Sequence, residues 1–445
     1  MRFSANIDIH LNNYYSTYFE TSYFKEVKMK MTKRRQRSAW LRFSVAAAVL
    51  LLLAMPLFAA GQGEGATGPV KIGALMPMTG DLQAYGEADL TGVQLAAQEI
   101  NAQGGVLGNE LEIVVGDTQT TAQAGIETAQ RLVSVEGVAG IVGALSSGVT
   151  IPVAESVTSQ QQVVQISPAS TSPVITDLED DDFLFRSVPS DAPQGVALSE
   201  LVNEAGYSDL AILYINNDYG EGLAESFQTA FESSGGTISA SAAYEPGNAS
   251  YRGDLQQISG AEALVHIGYP ENGITILRQA LEEGFFDEFV FTDGMKTPDI
   301  IEAIGAENLN GSFGSVPQAP TETQAYQNFT AAYEAEYEEL PPLPYIDTAY
   351  DATYVLALAI QHAGTTDTAA IQQSIREVAN PPGREIIPGQ WEEALAALEA
   401  GEDINYQGAT GSIDFDANGD VSGTFGHWAI ENGEIVTKKV FEPDM

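Results

Sequence analysis

The feature that most constrains this sequence is a repeated alternation of short apolar runs with longer amphipathic stretches. From Val70 onward, apolar runs of about four to eight residues predict strands, and segments with helical spacing of apolar residues predict helices. Parallel strands need a long crossover connection, and a helix is the usual one. The alternation therefore predicts an α/β fold built on parallel sheets.

The alternation runs through the chain twice. The first run predicts strands at Val70–Met76, Leu111–Val115, Val138–Leu145 and Val163–Ile166, and helices at Asp89–Asn101, Ala122–Val135 and Ile151–Gln160. It restarts near Phe183–Pro189, with strands at Leu210–Ile215, Leu264–Gly268 and Phe289–Thr292, and helices at Gly195–Glu204, Glu221–Ser233 and Ile274–Glu283. Two such runs predict two similar lobes, each with an open sheet.

The last third of the chain has a different pattern. Long helices are predicted at Thr321–Glu339 and Tyr350–His362. The end, Gly411–Phe441, is typical of hairpins, with strands at Ser412–Phe415, Thr424–Ile430 and Ile435–Phe441 and a turn at Asn418-Gly419.

Residues 29–61 have the parts of a secretory signal peptide. A basic segment, Lys33 to Arg42, precedes an apolar run that ends at Ala60, and cleavage is expected near Ala59 to Gly61. A membrane anchor is the alternative, because the run reaches the lower limit of about 18 residues for a span. Residues 1–28 precede the basic region and are predicted to be a mis-called extension, while 62–69 form a linker.

The composition excludes several classes of protein. The absence of cysteine excludes disulfides, thiolate metal sites, a cysteine nucleophile and a lipid-anchored N-terminal cysteine. Residues 61–445 carry ten basic and 58 acidic residues, a net charge of −48. Such a surface repels nucleic acid and anionic lipid. A high-salt habitat, in which self-repulsion is screened, is one explanation of the acidity, and ordinary solubility is the other.

Catalytic and metal-binding patterns are not found in the sequence. The four histidines, His10, His266, His362 and His427, do not have metal-ligand spacing, and no nucleophile elbow, P-loop or dinucleotide fingerprint occurs. Residues 414–419 resemble half of a calcium loop, but the twelfth position is Phe425 rather than glutamate. We therefore expect a non-enzyme without a metal or cofactor.

Polar segments follow several predicted strands, at the sheet edge where α/β proteins bind ligands. In the first lobe, residues 146–150 and 167–173 offer hydroxyls and free backbone amides that suit a carboxylate. In the second lobe, residues 216–222, 268–270 and 292–294 offer one carboxylate and two aromatic rings that suit an ammonium group. Helix capping and plain turns use the same residue types and remain alternatives.

An ordered set of segments resembles the leucine/isoleucine/valine-binding proteins, which are type I periplasmic solute-binding proteins of branched-chain amino acid and amide ABC transporters. The resemblance covers nearly the whole chain from Val70 to the C-terminal hairpins. It is carried by residues 71–80 with Tyr85-Gly86, Gly92-Val93, 99–108, 219–224 and 292–294.

The resemblance implies two open parallel-sheet lobes, joined by a three-crossing hinge that closes on the ligand. The implied first lobe is 70–188 plus 318–408, and the second is 189–317 plus 409–445. The implied ligand-binding residues are Tyr85, Ser147, Ala169, Ser170, Thr171, Tyr219, Tyr269 and Asp293.

In the family, the residues matching Ser147 and Thr171 hold the ligand carboxylate, and the backbone at Ala169 helps to grip the ammonium. The position of Asp293 is an acid that pairs with the ammonium. The leucine-type proteins carry glutamate there, so this chain is one methylene shorter. Tyr85 matches an aromatic position near the side-chain pocket.

The resemblance implies a periplasmic solute-binding component of an ABC importer that captures an amino acid, with a branched-chain one favoured. Its partners would be a membrane permease and an ATPase, and we expect a monomer that binds no nucleic acid. The alternatives are a sensory ligand-binding module, a binder of an amide, urea or aromatic acid, and, with least support, an amidase or glycosidase.

Overall fold

The computed structural model describes residues 68–444. The predicted extension, the predicted signal peptide and all but the last two residues of the predicted linker lie outside the described residues. Within 68–444, no helix is both long enough and apolar enough to cross a bilayer.

The first lobe contains a sheet of five parallel strands in the order β2-β1-β3-β4-β5. The strands are β1 Val70–Met76, β2 Leu111–Asp117, β3 Ile141–Gly143, β4 Gln165–Ser167 and β5 Leu184–Arg186. The connecting helices are α1 Gln83–Ala102, α2 Ala122–Arg131 with a π-helical turn Leu132–Glu136, and α3 Ser147–Val153, which continues through Ala154–Thr158 to Ser159–Gln161.

The second lobe contains a sheet of seven strands in the order β15-β14-β10-β9-β8-β6-β7. The strands are β6 Asp209–Ile215, β7 Thr237–Tyr244, β8 Ala263–Ile267, β9 Phe289–Phe291, β10 Phe313–Pro317, β14 Phe425–Glu431 and β15 Glu434–Phe441. β6 to β10 run parallel, while β14 and β15 are antiparallel additions at one edge. The helices are α4 Asp191–Ala205, α5 Asp218–Ser233, α6 Arg252–Ile258, α7 Pro270–Glu283, α8 Pro298–Ile304 and α9 Ala306–Leu309.

The remaining helices return to the first lobe. They are α10 Gln324–Tyr337, α11 Ile346–Ala363, α12 Thr368–Ala379 and α13 Trp391–Glu399, with a small sheet of β11 Arg384–Ile386, β12 Ile404–Gly408 and β13 Gly411–Ser412. α11 packs between α1 and α12 and is buried along nearly its whole length. A helix that is buried on all sides belongs to the core of its lobe.

The chain crosses between the lobes at 187–190, 318–323 and 421–424. Two of the crossings are hydrogen-bonded to each other, because the Gln318 amide donates to the Thr424 carbonyl oxygen at 3.0 Å and Thr424 Oγ1 donates to the Gln318 carbonyl oxygen at 2.6 Å. The third lies beside them, since a Cβ on Gly423 would be 3.0 Å from Pro189. Short adjacent crossings form a hinge about which lobes can rotate.

The prediction of a hairpin strand at Ser412–Phe415 is wrong. β13 pairs with β12, and the following turn lies on the first sheet, where the Arg186 amide donates to the Gly419 carbonyl oxygen at 3.0 Å. The C-terminal hairpin joins β14 to β15 through Asn432-Gly433, whose φ angles of 54° and 83° are those that a two-residue turn requires. We therefore propose that the third crossing lies at 421–424 rather than at the predicted division after 408.

β7 is a strand that the sequence analysis does not predict. It lies at the sheet edge, and its exposed positions alternate with half-buried ones that are mostly alanine. Small residues give almost no contrast in hydropathy between the two faces, so the period-two signal is lost. Conversely, the predicted strand Val138–Leu145 is a strand only over Ile141–Gly143.

Candidate functional site

A cavity of about 320 Å³ lies where the carboxyl ends of the two sheets face each other. This is the place where open α/β sheets bind ligands. The cavity is lined by Leu82, Tyr85, Leu145, Ser147, Ala169 and Tyr345 from the first lobe and by Tyr219, Tyr269, Asp293 and Gly294 from the second. Six of the eight predicted site residues are thus brought together, and Ser170 and Thr171 are not among the lining residues.

Three neighbouring strands of the second lobe each deliver one polar residue to the cavity. Tyr219 lies in the first turn of α5 after β6, Tyr269 caps α7 after β8, and Asp293 begins a short 3₁₀ turn after β9. The start of α5 is fixed by Asn217, whose side chain accepts the Gly220 amide at 2.9 Å. The Tyr219 and Tyr269 rings are stacked, with centroids 5.6 Å apart and planes 9° apart.

Among the residues that the structure describes, Asp293 is the only charged one that lines this cavity. Its Oδ1 accepts from Gln194 Nε2 at 2.7 Å and from the Tyr219 hydroxyl at 3.0 Å, and its Oδ2 accepts from the Tyr345 hydroxyl at 2.7 Å. Burial raises the pKa of Asp293, and these three hydrogen bonds oppose the rise. The carboxylate is therefore held in place by neutral donors, and no lysine or arginine of the described part of the chain lines the cavity beside it.

The phenols around Asp293 remain neutral donors. Burial, and then the charge of Asp293, raise the pKa of Tyr85, Tyr219 and Tyr345 well above the ordinary value. Tyr345 adopts a φ of 78°, in the left-handed region that a tyrosine rarely occupies. This backbone conformation directs its hydroxyl at Asp293 across the two lobes.

Ser147 begins α3 on the first-lobe side. Its hydroxyl oxygen accepts the Ser172 amide at 3.2 Å, so its proton is free to donate into the cavity. The first amides of a helix have no acceptor within the helix, and the dipole there favours a negative group. This wall therefore suits a ligand carboxylate.

The segment after β4 contributes less directly than the sequence predicts. Ala169 lines the cavity, but the hydroxyl of Ser170 points into the first lobe, where it bonds to the Leu145 carbonyl oxygen at 2.9 Å and to Thr150 Oγ1 at 2.7 Å. The Ser170 hydroxyl therefore holds the loop in this structure, and a contact between Ser170 and the ligand stays a prediction. Thr171 is buried beside the site, and its Oγ1 has no hydrogen-bond partner among the described residues.

Asp191 is a second buried acid that the sequence analysis misses. Neither of its carboxylate oxygens has a hydrogen-bond partner among residues 68–444, and its amide donates to the Thr171 carbonyl oxygen at 2.7 Å. Burial, and then the charge of Asp293, raise its pKa well above the ordinary value, while the charge of Arg186 lowers it. In the sequence it follows Ser190 at the start of a helix, where an acid needs no further explanation.

The lobes are held together around the cavity by direct hydrogen bonds. The Tyr85 hydroxyl donates to the Gly294 carbonyl oxygen at 3.1 Å, and the Ser146 and Tyr269 hydroxyls are 3.1 Å apart. At the rim, Asn272 Nδ2 donates to Asp81 Oδ2 at 2.8 Å. Together with the Tyr345–Asp293 bond, these contacts define a closed arrangement of the two lobes.

Four lining residues are not predicted, namely Leu82, Leu145, Gly294 and Tyr345. Leu82 and Leu145 give the cavity its aliphatic surface, and in the sequence they resemble ordinary core residues. Only glycine fits at position 294, because a Cβ atom on Gly294 would lie 2.5 Å from the Gly268 carbonyl oxygen. Tyr345 follows a proline-rich stretch without any chemical signature.

Among residues 68–444, no group of three or more histidine, aspartate or glutamate side chains is arranged to hold a metal ion. His266 lies away from the cavity, inside the second lobe, with Nδ1 3.2 Å from the Leu213 carbonyl oxygen.

Comparison with known proteins matches residues 69–420 to the family model described as "Periplasmic binding protein". The chemotactic signal transduction system substrate-binding protein BasB of Halobacterium salinarum is 26% identical over 78% of this chain and 84% of its own length. The leucine-, isoleucine-, valine-, threonine- and alanine-binding protein of Pseudomonas aeruginosa is 27% identical over 73% of this chain and 87% of its own. The structure of LivJ from Streptococcus pneumoniae in complex with isoleucine superposes with a TM-score of 0.70 at 25% identity, covering 84% of this chain and all of that one.

Proposed function

This chain belongs to the periplasmic binding protein family, and we propose that it is the extracytoplasmic substrate-binding subunit of an ABC importer that captures a branched-chain amino acid. The observation that carries the proposal is the pairing of opposite chemistries across one cavity. A helix N-terminus with a free hydroxyl proton faces it from one lobe, and an unneutralised carboxylate faces it from the other.

This pairing favours a zwitterion. The ligand carboxylate would accept from Ser147 and the first amides of α3, and the ligand ammonium would pair with Asp293. Thr171 Oγ1 and the Asp191 carboxylate are further buried groups that have no hydrogen-bond partner among residues 68–444. A buried charge is tolerated only when it is paired and hydrogen-bonded, so binding of the full zwitterion relieves the cost that the empty site carries.

The cavity also limits the side chain of the ligand. Leu82 and Leu145 offer aliphatic contacts, and none of the lining residues in 68–444 is a lysine or arginine. A lone carboxylic acid would bring a net negative charge to Asp293, so aromatic acids are disfavoured. A neutral amide or urea keeps one favourable contact, to Asp293, and is the second choice.

The names of the relatives support the same assignment. The Pseudomonas aeruginosa protein is named for binding branched-chain amino acids, and the Streptococcus pneumoniae structure contains isoleucine. In this proposal the protein is exported, acts as a monomer, binds without chemistry, and delivers its ligand to a permease and ATPase. The closed arrangement around Asp293 is the form that the permease would receive.

The proposal is tested by calorimetric titration of the purified protein with the twenty amino acids, simple amides, urea and benzoate, beside a thermal-shift screen. We expect tight binding of leucine, isoleucine or valine at one site per chain. Tight binding of only an amide or urea would overturn the zwitterion assignment. If none of these ligands binds to a folded protein, the transport proposal fails for amino acids.

A sensory role is a second candidate, because the relative from Halobacterium salinarum is named as part of a chemotactic signal transduction system. The same cavity and hinge would serve a receptor as well as a permease. A neighbouring gene for a chemoreceptor, without genes for a permease and ATPase, would favour the sensory role.

A further inference from the structure

A second cavity, of about 790 Å³, shares Tyr345 with the first as part of its wall. The second lobe contributes Lys296 and Ile435 to its lining, and the first lobe contributes Phe329 and Asp347. A molecule in this cavity would therefore contact both lobes, without entering the site around Asp293.

Lys296 is unusual among the basic residues of this acidic chain. Of the ten lysines and arginines in 68–444, seven have a carboxylate oxygen within 4.0 Å. Lys296 has none among the described residues, and its Nζ donates to the Pro342 carbonyl oxygen at 3.1 Å. Burial lowers its pKa to about 8, against the opposing effect of Asp347. A carboxylate in the cavity would supply the missing counter-charge.

Asp347 presents the opposite charge to the same cavity. It lies in the first turn of α11, where its Oδ1 accepts the Thr348 amide at 2.9 Å. Burial raises its pKa, while the hydrogen bond from Thr348 and the charge of Lys296 lower it. Asp347 and Lys296 face one cavity without forming an ion pair within 4.0 Å of each other in the described structure. An ammonium and a carboxylate on one small molecule would complement both.

Part of the remaining wall is apolar, while Gln318 and Thr437 add polar groups to it. Phe329, Leu340 and Ile435 line the cavity together with three prolines of the segment before Tyr345. Charged groups of both signs beside an apolar wall match an amino acid with a hydrophobic side chain, rather than an inorganic anion or a metal ion.

We propose that this cavity is a second binding site, which takes a small zwitterion with an apolar side chain: its carboxylate pairs with Lys296 and its ammonium with Asp347. Each chain then binds two ligands, one at Asp293 and one between Lys296 and Asp347. The second site is the weaker one, because its two charges are already partly stabilised by Pro342 and Thr348.

Equilibrium dialysis with labelled L-leucine and L-isoleucine, carried into the millimolar range, tests the proposal. We expect two ligands per chain, bound in one tight and one weaker event. Lys296→Met should weaken the second event by at least about tenfold, since it removes a charged hydrogen-bond donor, and should leave the tight event unchanged. Lys438→Met is the matched control, because it removes the same charge from an exposed lysine paired with Glu431.

Three results would overturn the second site: a tight event with no weaker one in the millimolar range, a weak event that survives Lys296→Met, or a weak event that acetate blocks as well as leucine does. The last result would show an anion site rather than a zwitterion site. Asp293→Asn separates the two proposals, because it should remove the tight event and leave the weak one. A wild-type protein that shows only the weak event would contradict the proposed transport function and not this inference.

Discussion

Replacement of Asp293 by asparagine should lower the affinity for the ligand and maintain or raise the stability of the ligand-free protein. Asparagine keeps the shape of the side chain and removes its charge. Its carbonyl oxygen can still accept from Gln194 and Tyr219, and the Tyr345 hydroxyl can turn to accept from the new amide. The substitution therefore removes the charge with little change to the surrounding packing.

The expected loss of affinity follows from the burial of the pair. Truncation of one partner in a buried, hydrogen-bonded charge pair costs about 2–5 kcal/mol, which corresponds to a loss of affinity of roughly 30- to 4,000-fold. The ligand-free protein should behave differently, because burial raises the pKa of Asp293 and the uncompensated charge destabilises the empty site. The melting temperature of the ligand-free variant should thus equal or exceed that of the wild type.

The same reasoning predicts how the affinity for the ligand depends on pH. A proton bound by Asp293 in the empty site must leave before an ammonium can pair with it. Affinity should therefore fall as the pH is lowered toward the raised pKa of Asp293, and the variant should lose this dependence.

Isothermal titration with isoleucine and thermal unfolding without ligand measure both effects on the same samples. Asp287→Asn is the control, since it removes an equal charge from an exposed position of the second lobe. The reasoning is refuted if well-folded Asp293→Asn binds within about threefold of the wild type, a difference smaller than one charged hydrogen bond provides.

Three further predictions concern neighbouring groups. Ser147→Ala should weaken ligand binding about tenfold with little loss of stability. Ser170→Ala should instead lower the free energy of unfolding by about 1–3 kcal/mol and leave binding nearly unchanged. Ligand titration and urea unfolding of both variants measure these effects, and the reverse pattern would contradict the assigned roles. Burial lowers the pKa of His266 to about 4 from its usual 6.5. The neutral imidazole therefore contributes fully to stability above pH 6.5, and the free energy of unfolding should fall by about 3 kcal/mol as the pH is lowered to 4. Urea unfolding across this pH range measures the fall, and the His266→Gln variant should not show this part of it. Asp81 and Glu271 line one cleft between the lobes, and the nearby Asp81, followed by burial, raises the pKa of Glu271. Because closure holds these like charges together, added salt should tighten ligand binding by up to about fivefold. Titration at low and high salt measures this response, and Glu271→Gln should remove most of it.

The fold follows from local patterns to a large extent. β1 has the predicted bounds, and α5 begins only three residues before its predicted start, because apolar spacing reports directly which face of an element is buried. Strand and turn predictions fail where the sequence signal is weak or occurs more than once. The small residues of β7 give too little contrast in hydropathy to predict a strand. The Asn-Gly turn signal occurs at both 418–419 and 432–433, although only the second pair forms the turn of a hairpin.

The candidate site is predictable where one residue follows one strand. Ser147, Tyr219, Tyr269 and Asp293 all follow this rule, so strand order and the resemblance locate them. Ser170 looks the same in the sequence as its neighbours, and only the direction of its side chain separates it from a ligand-facing residue.

The sequence by itself determined the α/β class, the two lobes and the polar segments at the strand ends, because each of these depends on residues that are close along the chain. Only the tertiary structure decided how the cavity is completed. Tyr345 reaches Asp293 across 52 positions of sequence, and Tyr85 reaches Gly294 across 209. It also decided that Asp191, Lys296 and Asp347 have no ion partner within 4.0 Å among residues 68–444. The energy of a charge depends on everything that surrounds it in space, and hydropathy patterns do not record those surroundings.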